Sequence, residues 1–179
     1  MKNWILVFFL SLVATATAMP FTDSFSGMSL EIPPEFELSI VESKSKMDAL
    51  DIAWWYSFSD ENRNLITIEI EEYDHSQSLP EFFHRSMTCE NNEEVDRVIC
   101  EGLEFKNQWI GDIEFTKCQL RILGISDQLI EPLCLYDYLF VKGEYGFTIS
   151  LMKRDEGEAM REETDAMMQT LLKSISFHP

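Results

Sequence analysis

Apolar and polar residues alternate along much of this chain with the two-residue period of β-strands. Tyr145, Phe147, Ile149 and Leu151 fall on one side of such a strand, and Gly146, Thr148 and Ser150 on the other. Together with the apolar stretch that begins at Leu133 and ends at Lys142-Gly143-Glu144, they predict a β-hairpin over Leu133–Met152. An earlier pair is as clear. Ile52, Trp54, Tyr56 and Phe58 share one face, as do Ile66, Ile68 and Ile70, and the Asp and Asn content of Ser59–Asn64 marks the turn between them. Thr67, Glu69 and Glu71 point the other way, so one face is buried and the other wetter, as in a partly covered antiparallel sheet.

Helical spacing replaces this pattern in two places. Met160, Met167, Met168, Leu171, Leu172 and Ile175 form a stripe that lies on the sheet, with Asp155 as the expected cap. The methionines are read as core filling rather than as a promiscuous groove. Ser78-Leu79-Pro80-Glu81 has the spacing of a capping box and opens a short helix carrying Phe82, Phe83 and Met87. Ser29–Ile32 predicts a strand that stops at Pro33-Pro34, and Glu35–Val41 resumes it with Phe36, Leu38 and Ile40 on one face. Val98–Trp109 and Ile113–Leu123 are further strands. Within the second, Phe115 breaks the alternation of Cys118, Leu120 and Ile122, which calls for a bulge or a change of face.

Strand pairs each followed by a helix describe an α+β domain, with helices flanking a mostly antiparallel sheet. No linker, repeat or low-complexity stretch divides it. The expected organisation is a cleaved signal peptide at 1–18, a flexible lead-in at 19–28 and a single domain at 29–179. The signal peptide rests on Lys2, the apolar run Ile5–Val13 and the small residues of Ala16-Thr17-Ala18. That run is well short of the roughly 20 apolar residues a spanning helix needs, so no membrane insertion is expected after cleavage. The product is expected to be secreted or periplasmic.

Charge narrows the partners. The chain carries −18 formally at pH 7, and loss of Lys2 with the signal peptide leaves the mature chain more negative still. Phosphate backbones and anionic lipid surfaces repel such a chain, so nucleic acid is excluded and cations or basic proteins are favoured. The four cysteines, Cys89, Cys100, Cys118 and Cys134, all follow the signal peptide and suggest two disulfides. Three connectivities are open. Cys89–Cys100 with Cys118–Cys134 is preferred, although hairpin register places Cys118 opposite Tyr138 rather than Cys134.

Candidate chemistry is sparse. Asp60, Asn62, Asn64 and Glu71 occupy positions 1, 3, 5 and 12 of a calcium loop, but Leu65 stands where position 6 needs Gly and a strand follows. The stretch is therefore read as a hairpin turn, with calcium as the minor alternative. His75, His84 and His178 lack any metal-ligand spacing, and there is no G-x-S-x-G or phosphate loop. No cofactor and no catalytic residue is assigned. Trp54 and Trp55 must face opposite ways on their strand, so Trp55 either packs beneath a helix on the second face or stands out as an interface anchor.

Taken together, Ser29-Leu30-Glu31-Ile32-Pro33-Pro34, the strand pair leading to Ser78-Leu79-Pro80-Glu81-Phe82, the late hairpin with Gly143 and the closing Leu171-Leu172-Lys173-Ser174-Ile175-Ser176-Phe177 resemble the Mog1/PsbP-like superfamily. That superfamily includes small secreted bacterial proteins of no assigned role. The resemblance implies an α-β-α sandwich and a non-enzymatic, accessory role. One member assists a nuclear GTPase and another supports the oxygen-evolving photosystem. Neither job fits an exported chain without an Arg-rich transit sequence, and no site residue carries over. The function expected is an exported, non-catalytic accessory or interaction protein. The competing class is a small-ligand or divalent-cation binding protein.

Overall fold

The computed structural model describes residues 17–45, 52–88, 98–125, 128–155 and 157–178. A seven-stranded sheet forms its middle layer, in the order β3-β4-β5-β9-β8-β7-β6. These strands are β3 (Glu37–Ser45), β4 (Ile52–Ser59), β5 (Leu65–Glu72), β6 (Val98–Ile110), β7 (Ile113–Ile125), β8 (Gln128–Lys142) and β9 (Tyr145–Arg154). Every neighbouring pair is antiparallel. A second, three-stranded sheet joins β1 (Met19–Thr22), β2 (Met28–Ile32) and β10 (Ser176–Phe177). The helices are α1 (Leu79–Thr88) and α2 (Glu158–Lys173).

One face of the large sheet is paved by Trp54 and Phe58, by Ile66, Ile68 and Ile70, by Phe147, Ile149 and Leu151, and by Tyr136, Tyr138 and Phe140. The two-residue repeat puts each set on that face, and burying it against Met28, Leu30 and Ile32 of β2 and Met168, Leu171 and Leu172 of α2 closes the main core. The other face carries a smaller cluster, Tyr73, Leu79, Phe82 and Leu139, beneath α1. Small sheet and α2, large sheet, then α1 make the three layers of an α+β sandwich.

Local chemistry sets the joints. Gly143 (φ 63°) provides the left-handed residue that the tight turn between Lys142 and Tyr145 requires. Ser78 and Glu81 form the expected capping box, with the Ser78 N–H and hydroxyl donating to Glu81 Oε2 at 2.9 and 2.6 Å. These two donors hold the Glu81 carboxyl below its usual value. At the far end of α2, the Ser174 hydroxyl donates to the Leu171 carbonyl at 2.6 Å and accepts the Glu31 N–H at 2.8 Å, tying the helix terminus to β2.

Several expectations are corrected. Residues 19–28 are not a loose lead-in: Met19–Thr22 pairs with β2, and the buried Asp23 carboxylate accepts the Ser26 N–H (2.7 Å), the Ser26 hydroxyl (2.6 Å) and the Tyr56 hydroxyl (2.7 Å). Burial and the Asp23 carboxylate push the Tyr56 phenol well above its ordinary value. Asp155 does not cap α2; Gly157 stands at the N-cap, and Asp155 forms ion pairs instead. Phe115 marks no bulge, because β7 keeps register with β6 from Ile113 to Gln119 and with β8 from Thr116 to Ile122. It packs on Phe140 at 4.9 Å on the α2 face, while Cys118 faces the other way, both faces of this strand being covered. The register shift of β7 against β8 comes later, between Ile122 and Gly124, and in β3 a shift between Leu38 and Ile40 sends Ile40 to the face opposite Leu38.

The preferred Cys118–Cys134 disulfide is not formed. Cys118 registers with Asp137 and Cys134 with Arg121, so in continuous register the two buried thiols lie on opposite faces of the sheet. The Cys89–Cys100 pairing lies outside the described residues, as do the signal peptide through residue 16, the polar loop at 91–96 and the Met160 side chain.

Candidate functional site

An open groove of about 950 Å³ lies on the core side of the large sheet, at the end where β4 turns into β5. One wall is the segment Pro34–Ser39, which leads into the edge strand β3. The hairpin turn supplies Ser59, Asp60, Glu61, Asn62 and Asn64, the floor is Leu151 and Lys153 of β9, and the far wall is Glu163, Thr164 and Met167 of α2. Each wall has a physical reason to hold still. Phe36 is buried in the core and fixes the first segment. In the turn, Asp60 accepts the Asn64 N–H at 2.8 Å and the Asn64 side-chain amide at 2.7 Å. Thr164 is buried against the sheet by the stripe of α2.

Glu35, Glu37, Asp60, Glu61 and Glu163 give the groove five carboxylates, against the single ammonium of Lys153. Glu35, Glu37, Glu61 and Glu163 are exposed. An excess of carboxylates around a groove that also offers Leu38 and Met167 attracts cationic groups that carry hydrocarbon. Beside it, β3 exposes Leu38 (50 %), Ile40 (50 %) and Val41 (59 %), and no strand among the described residues pairs with its outer side.

A second cluster adjoins the groove through Lys153 and Thr164 and includes Cys134, Tyr136, Asp155 and Arg161. Asp155 Oδ2 lies 2.5 Å from Arg121 Nε and its Oδ1 lies 3.2 Å from Arg161 Nη2, while Arg121 also meets Glu101 at 2.5 Å. Burial pushes the Asp155 carboxyl up, but the Gly157 N–H, Arg161 and Arg121 together outweigh it and hold the group below its ordinary value. Burial, with Asp155 alongside, pushes the Cys134 thiol up, and burial does the same to the Tyr136 and Tyr138 phenols. A raised thiol is a poor nucleophile at neutral pH, and the cluster has no room for a water-sized guest. Its evident work is mechanical: it fastens the start of α2 to β7 and β9. Lys117, paired with Asp165 at 2.7 Å, adds a second fastening farther along the helix.

The residues singled out in the sequence are scattered. Asp60 and Asn64 serve the turn, while Glu71 is buried near the other end of β5 and accepts the Tyr73 hydroxyl at 2.8 Å. The calcium set is therefore not assembled. His75 pairs with Asp74, and His75, His84 and His178 are all exposed. Among the described residues no group of three His, Cys, Asp or Glu is placed to hold a metal ion. Trp54 joins the core, and Trp55 is half-buried on the opposite face, in register with Glu42 and Glu69. The groove itself was missed, because Glu35, Glu37, Glu61 and Glu163 belong to separate elements that only the fold brings together.

No family model matches the chain, and no curated protein sequence matches it. Solved structures do. The solution structure of cyanobacterial PsbP (CyanoP) from Synechocystis sp. PCC 6803 superposes with a TM-score of 0.56 at 11% identity, covering 93% of this chain and 95% of that one. A crystal structure from Bacteroides thetaiotaomicron VPI-5482 gives a TM-score of 0.54 at 10% identity over 91% of this chain, which spans about half (49%) of that protein. With the seven-stranded antiparallel sheet and its flanking helices, these likenesses show that the chain has the Mog1/PsbP-like fold.

Proposed function

We propose that this protein is an exported, non-catalytic accessory protein that binds a partner protein at the groove between β3, the β4–β5 turn and α2. The observation that carries the reading is the groove: open, lined by five carboxylates against one ammonium, and bordered by a strand whose outer side no described strand pairs with. The cluster of Cys134, Tyr136, Asp155 and Arg161 is closed and engaged in holding α2, which supports a binding role over a chemical one. Export is supported by the leader signature, and by the place of its cleavage point: cutting after the exposed Ala18 leaves β1 whole from Met19.

The test is capture in place. A photo-crosslinking amino acid at Glu163 or Leu38, in the protein expressed in its native host, is expected to trap one stoichiometric partner in the secreted or periplasmic fraction. Recovery of the protein from the cytosol, or no adduct from either position alongside turnover in a hydrolase screen, would defeat the reading. The competing occupant, a divalent cation, is separated by thermal shift, since a ligand at 100 times its Kd stabilises by about 2.7 kcal/mol.

A further inference from the structure

We propose that the outer edge of β3 accepts an extended, lysine- or arginine-bearing segment of the partner as an added strand, with alternate side chains entering the groove. This rests on the reading above and names the chemistry of the partner. β3 ends the seven-strand order, so its backbone offers donors and acceptors on the outer side. From Ile40 to Ser45 its register with β4 is unbroken, long enough for a short segment to pair along it. The opposite edge is less suitable: β6 is interrupted between Ile99 and Cys100 and again between Glu101 and Glu104.

The side chains favour an apolar, cationic guest. Because the bulge separates Leu38 from Ile40, the edge shows Leu38 and Val41 on one face and Ile40 on the other, so an added strand meets hydrocarbon on both. Farther toward the start of β3 the same guest passes Glu37 and Glu35, and side chains directed into the groove meet Glu61 and Glu163 over Leu151. A second copy of this chain is disfavoured as occupant, since it brings another −18 to an acidic edge.

The test uses the mature chain and a fluorescein-labelled octapeptide, Thr-Lys-Val-Arg-Val-Lys-Val-Thr, followed by fluorescence anisotropy. Binding is expected at low salt and should weaken as salt rises, and a peptide with Glu at each cationic position should not bind. The diagnostic arm is backbone N-methylation. An added strand turns alternate N–H groups toward β3, so methylating one alternate set should weaken binding by roughly tenfold or more, and methylating the other set should change it little. Glu37→Lys and Glu163→Lys should each weaken binding, with circular dichroism confirming the fold. Should either variant unfold, the N-methyl comparison on the unaltered protein still decides.

Equal affinity for both methylated peptides, or no binding of the parent peptide, overturns strand addition. So does a dimer in sedimentation that Val41→Lys dissociates. If the peptide fails while crosslinking at Glu163 still captures a partner, the groove keeps its role and only the strand-addition chemistry falls.

Discussion

The two faces of the large sheet are built on different principles. The face beneath the small sheet and α2 carries a broad apolar cluster from Trp54 on β4 to Tyr136, Tyr138 and Phe140 on β8, with Asp23 and Thr164 as its buried polar residues among those described. The face beneath α1 has a smaller cluster, Tyr73 and Leu139 with Leu79 and Phe82 of α1, and mixes it with buried polar groups, Glu71 held by Tyr73 and Thr116 donating to Asn107 at 3.0 Å. Continuous burial makes the first face the source of cooperativity. On the second face α1 is fastened by a few aromatic contacts, the Phe82 ring against Gly146 and Phe83 edge-on to Phe105 at 5.2 Å. A helix held so locally can open without the sheet melting, which is the difference between global and sub-global unfolding.

Phe147 is the residue whose loss tests the first half of that contrast most severely. It stacks on Phe140 at 4.6 Å and meets Phe177 edge-on at 5.6 Å, so it joins the large sheet to the small one. Phe147→Ala should cost about 3–5 kcal/mol. Urea titrations followed by circular dichroism and by tryptophan fluorescence should move together. Separated transitions would mean that this face is not one cooperative unit.

The first face was legible in the sequence because its signal is local: residues two apart in Ile52–Phe58, Ile66–Ile70 and Tyr145–Leu151 must share a side. The second face was not, since Phe115 and Cys118 serve opposite layers of a strand buried on both sides, and that mimics broken alternation. The Cys118–Cys134 pairing fails on register: hairpin counting already set Cys118 away from Cys134, and the observed pairing with Asp137 puts the two thiols on different faces. The Ser78–Glu81 capping box was readable because its partners are three residues apart, whereas the groove depends on elements distant in the chain.

Gly146 sharpens the comparison from the other side. A Cβ there would run into the Phe82 ring, and Phe82 is itself fully buried. The ring must move, so Gly146→Ala should cost about 1–3 kcal/mol through overpacking. The loss should be local. Hydrogen exchange is expected to show α1 amides losing protection while β4, β5 and β9 keep theirs. Equal losses on both faces would show that α1 is coupled to the core as tightly as α2 is, and the distinction between the faces would go.

The smallest effect separates the ways the two helices are tied down. α2 starts on the ion pairs of Asp155 with Arg121 and Arg161, whereas α1 starts on the exposed Ser78–Glu81 box. The arginine side chains are 36% and 42% exposed, so solvent screens them and loss of the Asp155 pairs should cost less than either substitution above. Their pH dependence has a definite sign. Asp155 has a native value below its ordinary 3.8, so its contribution is complete above that pH and fades as pH falls through the lowered native value. Asp155→Asn cannot bind that proton. The stability gap between the original protein and this variant should therefore be constant at neutral pH and shrink below 3.8. Subtracting one protein from the other removes the change in overall charge common to both. A gap that persists to the lowest pH would show that Asp155 holds α2 through its shape and not its charge.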